Sequence, residues 1–175
     1  MKKTTFLLPI VAVLIALGLS AVFIVDEREK GLVLQFGRVV NVKEAPGIAF
    51  KIPLIQEVDR YDDRILSRDI DPHEVTPLDD RRLVVDAFAR YRITDVERFR
   101  QAVGVGGITA AEDRIDSILR AQTREILGSV ASNDILSSDR AALMLRIRNG
   151  AIAQANELGV EIIDVRLQRT ALPSQ

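Results

Sequence analysis

Arg82-Leu-Val-Val-Asp-Ala-Phe-Ala-Arg-Tyr-Arg-Ile93 is the stretch whose reading decides the fold of the soluble part of the chain. Leu83, Val85, Ala87, Ala89, Tyr91 and Ile93 fall on alternate positions, and side chains of a β-strand point to opposite faces in turn. These six share one face, which is expected to be core. The intervening charges then lie on the other side of the sheet.

Downstream, the periodicity changes from two to about 3.6. Thr94 with Glu97, and Thr109 with Glu112, have capping-box spacing, in which a hydroxyl and a carboxylate satisfy each other's backbone donors at a helix start. Gly104, Gly106 and Gly107 separate the two helices. In the second, Ala111, Ile115, Ile118, Leu119, Ile126 and Val130 recur at helical spacing, with Arg114, Arg120 and Arg124 on the other side. A third helix is expected from Asp139 to Leu158, with Leu143, Met144, Ile147, Ala151 and Ala155 inward and Gly159 as its stop. A strand, Val160 to Gln168, follows it.

Upstream, Leu32 to Val40 has the β-branched and aromatic character of a strand and leads to the turn signal Ala45-Pro46-Gly47. A short apolar stretch, Ile48-Ala-Phe-Lys-Ile52, stops at Pro53. Strands first, helices next and a closing strand predict an α+β domain over residues 26–173, with helices packed on one face of a mixed sheet. No internal repeat or linker interrupts it.

The first 25 residues are of another kind. Phe6 through Val25 is a run of 20 residues without a charge, and a helix of that length rises roughly 30 Å, the thickness of the hydrocarbon core. It predicts a membrane anchor bounded by Phe6 and Val25, behind a short cytoplasmic tail. Pro9 falls in the first turn, where a missing N–H is least disruptive. A cleaved signal peptide is the competing reading, because Lys2 and Lys3 resemble its basic start and Gly18 with Ser20 a weak cleavage site. The apolar character continues past Ser20, longer than the roughly 7–15 residues of a signal core. Lys2 and Lys3 precede the run and the mixed charges 26–30 follow it, so the lysine/arginine bias predicts a cytoplasmic N-terminus with the domain across the membrane.

Beyond the anchor, 22 basic side chains stand against 25 acidic ones. Such a balance lacks the basic excess of a nucleic-acid surface. The chain has no cysteine, which excludes disulfides, thiolate metal sites and cysteine nucleophiles.

Catalytic chemistry finds little to work with. His73 is the only histidine, and Asp71-Pro-His-Glu-Val-Thr-Pro77 reads as a turn-rich loop with that histidine on its surface. Asp71, Glu74, Asp79 and Asp80 show no ligand spacing for a metal. Gly104-Val-Gly-Gly107 resembles a phosphate loop, but no Gly-Lys-Ser/Thr follows and it joins two helices. Asp62, Asp63, Asp79 and Asp80 read as caps and ion-pair partners rather than an acid/base pair. No catalytic, cofactor-binding or metal-binding residue is therefore expected. Two surfaces remain. Phe50, Ile52, Leu54 and Ile55 follow soon after the anchor and either form a core strand or enter the membrane interface. Arg114, Arg120 and Arg124 form either a solvated helix face or a face for an acidic partner or lipid headgroups.

Several motifs in fixed order resemble the SPFH or band 7 family, the group of stomatin, prohibitin and flotillin. They are the N-terminal span, Glu29-Lys-Gly-Leu-Val-Leu-Gln-Phe-Gly-Arg38, Pro46-Gly-Ile-Ala-Phe-Lys-Ile-Pro53, Asp62-Asp-Arg64, Asp86-Ala-Phe-Ala-Arg-Tyr-Arg-Ile-Thr-Asp95, and Gly159-Val-Glu-Ile-Ile-Asp-Val-Arg-Leu167 before Leu172-Pro173. The resemblance covers residues 26–173. It implies a non-enzymatic scaffold of the bacterial inner membrane, with a periplasmic domain, that forms hetero-oligomers with an HflK-like paralogue and regulates an FtsH-like membrane protease. The lipid bilayer is its other partner, and no cofactor is implied. Family members continue into a long charged coiled-coil helix, expected after residue 175. A stomatin-like organiser of membrane domains without a protease, or a membrane-associated hydrolase, are the alternative readings.

Overall fold

The computed structural model describes residues 3–136 and 140–171, with side chains described for 11–13, 15–135 and 141–167. Two compact units are present, Met1–Asp63 and Arg64–Gln175.

In the first unit, helix α1 (Lys3–Ser20) leads into strands β1 (Val22–Val25), β2 (Glu29–Gln35), β3 (Arg38–Lys43), β4 (Gly47–Phe50) and β5 (Gln56–Asp62). The apolar run is therefore not one helix to Val25. It turns at Ala21, because Gly18 and Ser20 are weak helix formers and Val22-Phe-Ile-Val25 is β-branched and aromatic, suited to a strand that has a partner. Val25 is a core residue of β1, 1 % exposed, and the side chain of Phe6 lies outside the described residues. Among the described residues no helix is long and apolar enough to cross a membrane.

Strand β1 pairs antiparallel with β4, and β2 lies between β3 and β5, antiparallel to both. The expected strand from Leu32 to Val40 is two strands. Phe36 (φ 51°) and Gly37 (φ 77°) both take left-handed backbone between the paired Gln35 and Arg38, the signature of a two-residue type I′ hairpin turn. Phe23, Val25 and Val33 form one core cluster of this unit, flanked by Ala49 and Val58, and Leu32, Leu34 and Tyr61 are buried as well.

In the second unit, β6 (Leu66–Val75), β7 (Leu83–Ile93) and β8 (Val160–Ala171) make a sheet in that order. Between β7 and β8 come α2 (Val96–Val103), a 3-10 turn at Gly104–Gly106, α3 (Gly107–Gly128), α4 (Ser132–Leu136) and α5 (Arg140–Glu157). All six alternating residues of β7 are buried, as its sequence predicts. The α+β class holds. Every strand pairing among the described residues is antiparallel, in place of a mixed sheet. Helix α3 packs on β6 and α5, and α5 packs on β8.

The helix starts differ from those expected. Asp95, not Thr94, caps α2: its backbone is extended and its carboxylate accepts the Arg98 N–H at 2.9 Å. Thr94 instead donates to the Gly159 carbonyl at 3.3 Å. Helix α3 begins at Gly107 without a side-chain cap, so Thr109 lies inside it. Asp139, the expected start of the last helix, and Leu172-Pro173 lie outside the described residues. Gly159 ends the α5 segment as expected, with φ 71°. A Cβ there would stand 2.4 Å from the Asp95 carbonyl oxygen and 2.8 Å from the Phe99 nitrogen, so the close approach of two backbones requires glycine.

Candidate functional site

The β1–β4 ribbon has two unlike faces. Phe23 and Val25 turn into the core, while Val22, Ile24, Ile48 and Phe50 are exposed. The register sets Val22 opposite Phe50 and Ile24 opposite Ile48, so the four exposed side chains are two cross-strand apolar pairs on one surface. Phe50 is 74 % exposed, and beyond it Ile52, Leu54 and Ile55 are exposed as well. All four residues singled out in the sequence, Phe50, Ile52, Leu54 and Ile55, are thus outside the core. Sequence reasoning missed their partners across the ribbon, Val22 and Ile24, because these were assigned to the anchor.

This surface is held in place by backbone. The Lys51 N–H donates to the Ala21 carbonyl at 2.7 Å, fixing the end of β4 to the turn residue that follows α1. The Gln56 N–H donates to the Ile52 carbonyl at 2.9 Å, and the Gln56 side chain accepts the Ile52 N–H at 2.8 Å. At the tip of the loop so closed, Leu54 has φ 70° and is 95 % exposed. A branched residue in left-handed backbone with its side chain in the open is unfavourable twice over, in conformation and in hydration. The ribbon and loop thus present an apolar surface that follows directly on α1.

The basic set on α3 is only partly brought together. Arg120 and Arg124 are four residues apart on one helix face, and Arg120 pairs with Asp71 of β6 at 3.5 Å. Arg114 lies roughly a quarter to a third of a turn away around the helix, so the three do not form a single row. Arg114 and Arg124 are exposed, and Arg120 is half-buried.

His73 is not a loop residue. It lies in β6, opposite Val85, after a register shift between Ile70 and His73 that absorbs Asp71 and Pro72. It is 9 % exposed, and neither ring nitrogen has a hydrogen-bond partner. Burial lowers its pKa, the nearby Asp71 backbone opposes this, and the charges of Arg120 and Arg124 add to the lowering. The imidazole is therefore a neutral, enclosed group.

A polar cluster that the sequence did not suggest joins α3 to the sheet. Arg68 of β6 meets Asp116 through Nε at 3.3 Å and through a terminal nitrogen at 3.5 Å, and meets Glu112 at 3.2 Å. The Tyr91 hydroxyl of β7 donates to Glu112 at 3.3 Å. Hydrogen bonding and charge from Asp116 raise the Arg68 pKa, and burial beside Glu112 raises that of Tyr91. Both groups stay protonated, and the arrangement is a fastening between elements. Its signal in the sequence is a pair of acids, Glu112 and Asp116, four residues apart on the helix face that packs against the sheet.

Several of the remaining candidates have structural partners. Asp79 accepts from both the backbone and the hydroxyl of Ser132, capping α4, and the Ser132 hydroxyl lowers its pKa. Asp63 pairs with Lys30 at 2.9 Å. Gly104 and Gly107, at φ 60° and 57°, turn the chain between α2 and α3. Among the described residues no group of His, Asp or Glu is arranged to hold a metal ion.

Comparison with known proteins agrees with the motif order. The chain is 31 % identical to Protein HflC of Haemophilus influenzae, over 97 % of this chain and 61 % of that protein. It is 29 % identical to the Modulator of FtsH protease HflC of Escherichia coli strain K12, over its full length and 65 % of that protein, and 25 % identical to Protein HflC of Vibrio parahaemolyticus. It spans less than two thirds of the length of these relatives. Residues 23–175 match the SPFH domain / Band 7 family from just after the end of α1 onward, and the chain belongs to that family.

Proposed function

We propose that this chain is a membrane-anchored, non-enzymatic scaffold that assembles with an HflK-like paralogue and regulates an FtsH-like membrane protease. The observation that carries the reading is the exposed apolar surface of Val22, Ile24, Ile48, Phe50, Ile52, Leu54 and Ile55, fastened to the end of α1. Soluble monomers rarely leave a contiguous surface of this kind uncovered. Helix α1, with 18 residues, rises roughly 27 Å, a little less than the hydrocarbon core. An apolar ribbon directly after it fills the remaining depth at the lipid interface. The anchor then consists of α1 from Phe6 onward together with the outer face of β1. The proposed address is the bacterial inner membrane, with a cytoplasmic N-terminus and a periplasmic domain, following the position of Lys2 and Lys3. A role beside an FtsH-like protease is supported by the name of the Escherichia coli relative.

Crosslinking in native membranes, followed by identification of the captured proteins, tests the assembly. Recovery of the paralogue and the protease, with a changed half-life of a protease substrate when this chain is deleted, is expected. Recovery of neither, with lipid contact intact, would make the chain an organiser of membrane domains instead. Protease added to spheroplasts is expected to digest the domain; its survival until lysis would reverse the topology.

A further inference from the structure

Among the described residues, three buried side-chain atoms of the second unit have no hydrogen-bond partner: both ring nitrogens of His73 on β6 and the Thr123 hydroxyl on α3. They lie at the same level of the fold. Helix α3 runs alongside β6 in the same direction, because Arg68 meets Glu112 and Asp116, Asp71 meets Arg120, and a Cβ at Gly128 would stand 3.7 Å from the Thr76 carbonyl oxygen. A strand residue advances about 3.3 Å and a helix residue about 1.5 Å. The step from Asp71 to His73 therefore carries α3 from Arg120 to about Arg124, with Thr123 on its buried face there. Native interiors seldom keep orphaned polar atoms without a use, and a phenyl ring in place of the imidazole would fill the same slot without any.

We propose that His73 is a proton-operated latch: on taking up a proton it frees the end of β6, from Asp71 to Val75, from α3 while the rest of the unit stays folded. The surroundings of the ring favour release. Burial lowers its pKa, and the cations Arg120 and Arg124 of α3 lower it further. On β6, the Asp71 carboxylate is in solvent and paired with Arg120 at 3.5 Å, while Glu74 points to the opposite face, 4.0 Å from Arg82. Across the sheet, β7 sets Val85 opposite the ring. An imidazolium would thus meet two like charges and no carboxylate inside its slot, and swinging out to water relieves both desolvation and repulsion.

The segment that would move is lightly held. Strand β6 pairs with β7 alone among the described residues, and beyond the register shift only His73, Glu74 and Val75 continue the ladder, against Val85, Val84 and Leu83. Fastenings stand on both sides of it. The Arg68 cluster precedes it; after it, the Leu78 N–H donates to the Val130 carbonyl at 3.0 Å and Asp79 accepts from Ser132. The Ser132 hydroxyl holds the Asp79 pKa down, so this second fastening keeps its charge while an imidazole takes up its proton. At neutral pH the ring is uncharged and the latch shut, and its effect belongs to acid conditions. In the proposed periplasmic position the unit would meet the acidity of the surroundings through the water-filled pores of the outer membrane; that use rests on the proposed topology, and the latch itself does not.

Amide hydrogen exchange of the full chain in vesicles, read by mass spectrometry at pH 7 and pH 5 and corrected for intrinsic rates, tests the latch. Protection of residues 71–75 and 120–127 is expected to fall about tenfold at pH 5, with β8 unchanged. His73 is the only histidine, so exchange of its ring C2 hydrogen reports its titration in the same samples, with a midpoint expected below about 6.5. His73→Phe should keep the protection at both pH values. Arg124→Gln removes one of the two cations and leaves the ring in place, so the closed form tolerates the proton better and the fall should be smaller. A fall that spreads through β8 would overturn the latch in favour of unfolding of the whole unit, and one that persists in His73→Phe would assign the opening to another group. If that variant does not fold, a fall in Arg124→Gln as large as in the unaltered chain gives the same refusal. Unchanged protection of 71–75 at pH 5 would end the proposal outright.

Discussion

The two units solve the same burial problem with different means. In Arg64–Gln175, one sheet is covered by long helices, and Tyr91, Phe99, Ile115, Leu119, Leu127, Ile147 and Ile162 are all nearly inaccessible. Its exposed large apolar residues, Ile65, Leu78, Val105, Ile108 and Leu145, are scattered, as is ordinary for a protein surface. In Met1–Asp63, Phe23, Val25, Leu32, Val33, Leu34 and Tyr61 are buried, and a similar number of large apolar side chains, Val22, Ile24, Ile48, Phe50, Ile52, Leu54 and Ile55, is exposed on one ribbon and one loop. The second unit is stabilised by what it buries in itself. The first leaves much of its apolar surface exposed, the surface that the proposed function assigns to the membrane.

The strongest test of that contrast is in the second unit. Gly159→Ala puts a methyl group against two backbone atoms at a left-handed position, where neither neighbour is a side chain that can turn away. A loss of about 3 kcal/mol is expected, read as a fall in Tm of roughly 10 °C. A loss under about 1 kcal/mol would mean that the α2 and β8 ends are not pinned to each other. Ile147→Ala, in the fully buried row of α5, should cost about 3 kcal/mol by loss of packing and the cavity left behind. Phe50→Ser in the first unit should change stability by less than about 0.5 kcal/mol in detergent-free buffer or denaturant titration. Equal losses at positions 147 and 50 would erase the distinction between the units.

How much of this contrast was written plainly in the chain depends on whether the local pattern matches one period. Strand β7 was legible because its alternation is unbroken over 11 residues. Strand β6 was not, because the register shift between Ile70 and His73 moves the buried set from Ile70 to His73 and Val75. An odd step breaks the two-residue period, and Pro72 disguises it as a loop. Strand β5, with four charges in seven residues, has the composition of a loop and is a strand only because β2 offers it a partner. The boundary between α1 and β1 was hidden for another reason. A run that is apolar throughout carries no period, so the change from helix to strand at Ala21 shows only in Gly18, Ser20 and the β-branched residues after them. The exposed loop at Phe50, Ile52, Leu54 and Ile55 was legible as a candidate, but its opposite pairs required the register.

His73 gives a smaller, pH-dependent test within the second unit. Its pKa is lowered in the folded chain, whereas the unfolded chain binds a proton near the ordinary value of about 6.5. Between the two values the unfolded state carries more protons, so stability rises with pH there and falls as pH drops below about 6.5. His73→Phe should flatten that slope, measured as the difference in Tm between pH 7 and pH 5. A slope that the substitution leaves unchanged would show that the imidazole is not enclosed as a neutral group. Biological activity should be unaffected wherever the variant folds, because the ring touches no nucleophile or metal.

The smallest effect on stability is expected where the proposed function is most exposed. The chain contains no tryptophan, so a single one introduced by substitution reports only its own surroundings. Leu54→Trp, at the loop tip of the first unit, and Leu145→Trp, on the outer side of α5, both replace exposed residues, and neither should change stability by more than about 0.5 kcal/mol. They should differ in vesicles. A tryptophan at the membrane interface lies with its ring among headgroups and acyl chains, so position 54 should emit at shorter wavelength and be quenched by lipids brominated near the headgroup. Position 145 should keep the emission of water and respond to aqueous iodide. Quenching of both by iodide alone would remove the membrane from the account of the β1–β4 surface, and leave its apolar pairs to be covered by protein. Quenching of both by lipid would show instead that the second unit also lies against the bilayer, and the division of labour between the units would fail.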